Sequence, residues 1–275
     1  PNALADMAIT AEEHLGRSIA AAGDRTLIIS GEGISTISRA GIEKLRARLA
    51  PFYDTIHIVA YVRDPVSFMT SAFQQRVRSG SIMGLDSPNL YLSYRQALAK
   101  FDDVFGRENV MLYAFDRREL LNGDVVADFA SRIGIRSHLP QHQNANLSMS
   151  RDGVCLLYQY NSFCMRNHIT PDPKLLTDLI GELEQPDAPK FRLAPALLQP
   201  LLSANQDDID WISTRMARPV NTEAQDAFAG DITGETDLMM PVPGARHKLH
   251  AILEQRGLPL PREDAPDGEA LQFLA

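Results

Sequence analysis

The feature that most constrains the fold is the run Thr55-Ile56-His57-Ile58-Val59-Ala60-Tyr61-Val62, followed at once by Arg63-Asp64-Pro65. Its apolar and β-branched residues show little alternation. That pattern suits a parallel strand covered on both faces better than a hairpin strand with one wet side. Parallel strands need a crossover connection, usually a helix, and the neighbouring sequence supplies one. Thr26-Leu27-Ile28-Ile29-Ser30 reads as an earlier buried strand, and residues 36–50 carry Ile37, Ile42, Leu45 and Leu49 at near-helical spacing. Strand, helix and strand make a βαβ unit, whose crossover is nearly always right-handed. A helix over 65–78 follows, with Val66, Met69, Phe73 and Val77 on one stripe. Further helices are expected at 11–22, 90–104 and 123–134, the last stopping at Gly134. Val110 to Phe115 reads as a third strand.

Beyond residue 135 the strand-like runs give out. Helical stretches at 150–167, 174–184 and 193–206 are separated by Pro-rich loops. Residues 219–245 hold little periodicity, and a last short helix is expected near 246–256. The expected fold is therefore α/β and three-layered, with a central parallel sheet and additional C-terminal helices. One domain spans 1–275, its sheet-containing core at 1–135 and a mainly helical cover at 136–275.

Composition narrows the function classes. The chain has 275 residues and a formal net charge of −8, which argues against a broad basic surface for nucleic acid. A small site for a phosphorylated ligand needs only a few local donors and stays open. No apolar stretch approaches the roughly 20 residues that span a bilayer. The first residues lack the pattern of a signal peptide, and a cytoplasmic location is expected. Cys155 and Cys164 fall on one expected helix, about 13 Å apart along its axis. A disulfide needs α-carbons within about 7 Å, so they do not pair.

The most informative stretch for chemistry runs from Tyr61 to Phe73. Arg63 stands at the carboxyl end of an expected parallel strand, where open α/β sheets bind ligands. Pro65 suits the first turn of the next helix. Along that helix Ser67, Ser71, Gln74 and Arg78 recur on one polar stripe away from Met69 and Phe73. An arginine at the strand end with serine hydroxyls on the first turns makes a phosphate clamp. The same residues equally suit a solvated helix face capped by Asp64.

Val62-Arg63-Asp64-Pro65, with Ser71 eight residues after the arginine, resembles the 3′-phosphate-binding motif of sulfotransferases that use 3′-phosphoadenosine-5′-phosphosulfate (PAPS). Phe68 and Phe73 stand where many members carry an arginine and a tyrosine. Leu27 to Gly33 is similar to the strand-and-acid segment of bacterial and heparan-sulfate-type members. Phe105 to Val110 resembles their third-strand entry. Asn144-Ala145-Asn146-Leu147-Ser148-Met149-Ser150 is similar to an Asn-x-Ser-Leu-Ser segment of bacterial members. The resemblance covers about residues 25–165. It implies a P-loop-like sulfotransferase fold and PAPS as co-substrate. Arg63 and Ser71 would bind the 3′-phosphate, and Glu32 would be the base for the acceptor hydroxyl. Sulfuryl transfer to a hydroxyl or amine follows, with a glycan expected as acceptor by analogy and polysaccharide biosynthesis as the setting. No metal is required. His247 and His250 lie at helical spacing but have no carboxylate or thiol pattern beside them.

The family's Gly-x-x-Lys-Thr-Gly-Thr-Thr-like loop, which cradles the phosphosulfate, is not found in the sequence. The expectation is that this loop and a first strand lie before Pro1; the alternative is a degenerate, inactive relative. Glu32, between Gly31 and Gly33, reads either as the base facing the cleft of Arg63 or as a solvated turn acid. Two rival functions remain open: another nucleotide-dependent transferase, such as a small kinase or glycosyltransferase, and a non-catalytic binding module.

Overall fold

The computed structural model describes residues 3–82, 84–85, 88–135, 148–170, 188–222, 228–240, 242, 247, 250–251 and 254. Helix α1 spans Ala3–Ala22 and α2 spans Arg39–Leu49. Strand β1 covers Ile58–Val62, and α3 covers Pro65–Arg78. Then come α4 at Tyr94–Phe105, β2 at Val110–Ala114 and α5 at Val125–Arg132. The remaining helices are α6 at Arg151–Arg166, α7 at Pro195–Ala204, α8 at Gln206–Arg215 and a single turn, α9, at Glu235–Leu238. The structure is thus mixed α/β and mostly helical, with β1 and β2 paired in a small two-stranded parallel sheet. The expected helix at 174–184 lies outside the described residues, and the one at 246–256 largely so.

The expected strand at Thr26–Ser30 does not form: these residues adopt no regular structure, and Ile28 and Ile29 are 45% and 42% exposed. A β-branched run becomes a strand only against a partner, because its backbone groups need a ladder. Among the described residues no strand pairs with it, whereas Val110–Ala114 finds β1. Two other differences are local. The helix expected at 193–206 forms as α7, and a further helix that was not expected, α8, follows directly after Asn205 with Asp207 and Asp208 in its first turn. The helix expected at 36–50 is shortened at its start, where Ser38 accepts a hydrogen bond from the Gly41 N–H at 3.2 Å and caps α2.

The chain divides into two compact units, residues 1–60 with 94–112, and residues 61–93 with 113–275. In the first, α2 packs on α4, and Ile42, Phe101, Val104, Phe105 and Val110 form the core. Arg39 bridges Glu43 at 3.0 Å and Asp103 at 2.9 Å across that packing. All three are more than half exposed, so the network adds only tenths of a kcal/mol per pair, on the order measured for surface ion pairs.

In the second unit the core is built around α6. Residues Gly153 to Asn161 are all buried, as expected of a helix surrounded by packing on every side. Met69, Phe73 and Val77, the apolar stripe of α3, face this core. Phe73 stacks on Phe191 with centroids 5.5 Å apart and on Tyr158 at 6.2 Å. A phenylalanine at this position therefore serves the core. Cys155 and Cys164 are both buried free thiols on α6, and burial pushes the Cys155 thiol up to about 12.

Candidate functional site

The site candidate lies wholly in the second unit, at the junction of β1 and α3. The local sequence dictates its shape. Val62 ends the strand, and its carbonyl accepts from the Phe115 N–H at 2.8 Å, one step beyond β2. Asp64 caps α3 by accepting from the Ser67 N–H at 2.8 Å, and Pro65 occupies the first turn. The helix closes where Gly80, at φ 87, lets the Ser81 N–H reach back to the Arg76 carbonyl at 2.9 Å. The observed helix ends coincide with those read from the sequence.

Arg63 extends from the strand end along this helix. Its Nε donates to Ser67 Oγ at 3.1 Å and its Nη1 to Ser71 Oγ at 2.9 Å. Arg63 and Ser71, the two expected phosphate ligands, are therefore brought together, with Ser67 between them. All three are partly buried. The guanidinium also sits 5.6 Å from the centroid of the Phe115 ring. Burial lowers its pKa, Asp64 opposes that shift, and the charge of Arg117 adds to it. The arginine remains a cation at any pH a folded protein meets. A hydroxyl that accepts from a guanidinium keeps its own proton to donate. The Ser67 hydroxyl gives its proton to Asp64.

The polar stripe continues along α3. Gln74, buried, accepts at Oε1 from the Met149 N–H at 2.8 Å and from Ser148 Oγ at 3.3 Å. Arg78 Nε lies 3.0 Å from the Met149 sulfur. Ser150 then caps α6 by accepting from the Gly153 N–H at 3.0 Å. Residues 148–150, the described end of the Asn144–Ser150 segment, thus tie α3 to α6. This link was not read from the sequence, since 75 residues separate Gln74 from Met149. Ser67 was read on the polar stripe of the helix, whereas Arg117 was not read from the sequence. The signal for Arg117 was an Asp-Arg-Arg-Glu run directly after a strand.

Glu32 belongs to the first unit, where it opens a short 3-10 turn over Glu32–Thr36. Its side chain lies outside the described ones, and so does the expectation that it faces the cleft of Arg63. The glycines beside it take part in this turn, the Ile34 N–H reaching the Gly31 carbonyl at 3.3 Å, without either adopting a positive φ. Gly31 is extended at φ 177, and Gly33 is not among the positive-φ residues. A Cβ on Gly31 would touch only the Ile34 side chain at 3.8 Å, and one on Gly33 would meet nothing.

A second charged cluster braces the sheet. Tyr61 on β1 donates its hydroxyl to Asp128 Oδ2 at 2.6 Å, and Arg132 on α5 pairs with the same carboxylate. The Arg132 guanidinium lies 3.8 Å from the centroid of the Tyr113 ring on β2. With the Asp128 carboxylate accepting from Tyr61, Arg132 and the Leu121 N–H, the cluster reads as structural. A shallow depression of about 260 Å³ in the first unit, lined by Glu43, Arg46, Ala47, Ala50, Asp103 and Val104, contains none of Glu32, Arg63 and Ser71. Among the described residues no three His, Cys, Asp or Glu side chains converge as metal ligands, and no helix is long and apolar enough to cross a membrane. Compared with protein-family models, curated proteins and solved structures, the chain matches none.

Proposed function

We propose that the protein is a PAPS-dependent sulfotransferase with a P-loop-like sulfotransferase fold, and that Arg63 and Ser71 hold the 3′-phosphate of the nucleotide. The observation that carries this reading is the 2.9 Å contact between Arg63 Nη1 and Ser71 Oγ, directly after a parallel strand. The residues present fit a phosphate monoester: a fixed guanidinium, the Ser71 hydroxyl and a helix N-terminus beside them. PAPS supplies the sulfuryl group, and in-line transfer of such a group depends mainly on positioning and charge stabilisation. The chain's own part is to anchor the nucleotide through Arg63 and Ser71 and, at Glu32, to take the proton of the acceptor hydroxyl or amine. A glycan is the proposed acceptor and the cytoplasm the proposed compartment.

Nucleotide binding is measurable without catalysis, because adenosine 3′,5′-bisphosphate carries no sulfuryl group to transfer. Calorimetry should find that adenosine 3′,5′-bisphosphate binds on the order of tenfold or more tighter than adenosine 5′-monophosphate, the size of a charge-assisted contact. Equal affinities would remove the basis for the sulfotransferase reading.

A further inference from the structure

We propose that Arg117 is a second cation of the Arg63 anion site, and that the two arginines together take a phosphate monoester dianion. The proposal starts from the nucleotide reading above and adds to it a residue and a charge requirement.

The first support is a local imbalance of charge. In the run Asp116-Arg117-Arg118-Glu119, Asp116 is held by Arg118, whose Nη2 lies 2.6 Å from Oδ2. Glu119 is held by Arg218, with contacts of 2.6 and 2.8 Å. Both acids are thus matched. Arg117 is exposed and has no ion pair among the described residues.

Topology gives the second support. Strands β1 and β2 are parallel, so the residues that follow them emerge at the same end of the sheet. Arg63 follows β1 and Arg117 follows β2. The hydrogen bond from the Phe115 N–H to the Val62 carbonyl, at 2.8 Å, fixes the start of the second segment beside the first. The Phe115 ring lies under the Arg63 guanidinium at 5.6 Å, two residues before Arg117. The field of Arg117 reaches Arg63, where it adds to the effect of burial in lowering the Arg63 pKa.

Two guanidiniums within each other's field repel; Asp64 offsets part of the charge at Arg63, and no carboxylate among the described residues pairs with Arg117. In a chain of net charge −8, such a pair is unusual. An anion bound between them converts repulsion into two attractions. The ester dianion suits the pair better than a singly charged diester, because each arginine then faces its own full charge. The Ser71 hydroxyl adds a neutral donor to the same anion.

The test is calorimetric binding of adenosine 3′,5′-bisphosphate, adenosine 5′-monophosphate and inorganic phosphate to the wild type, Arg117→Ala and Arg63→Ala. Arg117 is exposed, so its substitution should leave the circular dichroism spectrum unchanged. The expected result is a loss in Arg117→Ala on the order of tenfold for the bisphosphate, with the monophosphate affected less. If Arg63→Ala weakens the bisphosphate and Arg117→Ala does not, the proposal is overturned while the nucleotide reading stands. If the wild type binds inorganic phosphate as tightly as the bisphosphate, and both variants lose it, the two-arginine site stands and the nucleotide reading falls. If none of the three ligands binds the wild type, both fall.

Discussion

Gln74, in the middle of α3, accepts the backbone N–H of Met149 at 2.8 Å, across 75 residues of chain. The contact is buried and fixes the polar face of α3, and with it Ser71, against the segment that caps α6. Replacing Gln74 with Ala leaves the Met149 N–H without its acceptor in a buried place. The cost should be about 1–3 kcal/mol, read as a lower midpoint in urea unfolding. An unchanged midpoint would mean that water or another acceptor replaces the amide.

The Tyr61–Asp128–Arg132 cluster should make stability depend on pH from both sides. The Arg132 hydrogen bond holds the Asp128 carboxyl below its ordinary range against the opposing effect of burial, and the Tyr61 hydrogen bond helps. Its stabilising share is present above the unfolded carboxylate pKa, roughly 3.9, and is lost as pH falls through the lower folded value. Tyr61 is pushed up to about 12, by burial first and then by its bond to Asp128. Its share is present below the unfolded phenol pKa, roughly 10, and is lost as pH rises toward the folded value. Urea midpoints measured across pH should therefore fall less steeply in acid for Asp128→Asn than for the wild type. Identical acid slopes would show that other carboxylates govern acid unfolding.

What the sequence made legible follows from how far each signal reaches. Asp64-Pro65 at one end, Gly80 at the other and the Met69–Phe73–Val77 stripe between them fix α3 locally, and its observed ends coincide with the expected ones. Arg63 and Ser71 are also close in sequence, so a strand end and two helical turns suffice to join them. The failures involve partners. Thr26–Ser30 has the composition of a strand, but composition does not reveal whether a neighbour exists to pair with it. No helix was expected over α8, because Asp207, Asp208 and Asp210 crowd the start of Gln206–Arg215 and leave only Ile209 and Ile212 as buried apolar positions. The hydrogen bonds from 148 and 149 to Gln74 leave no periodic trace, because they depend on tertiary placement alone.

Glu32 is assigned the role of base by resemblance, so its test is kinetic. Glu32→Gln keeps the shape and removes the basicity. Turnover of PAPS with an accepting glycan should fall by about a hundredfold or more, while affinity for adenosine 3′,5′-bisphosphate stays the same. Undiminished turnover would place the base elsewhere. A parallel loss of nucleotide affinity would assign Glu32 to binding instead.

The most direct measurement of the central claim is a double-mutant cycle on Arg63 and Ser71, read by calorimetric affinity for adenosine 3′,5′-bisphosphate. Arg63→Ala should weaken binding by about 1.5–3 kcal/mol, the range for a hydrogen bond to a charged group, and Ser71→Ala by about 1 kcal/mol. Because their side chains touch at 2.9 Å, the combined loss should differ from the sum of the single losses by roughly 0.5 kcal/mol or more. Affinity unchanged in Arg63→Ala, with the fold intact, would contradict the 3′-phosphate clamp and the function built on it.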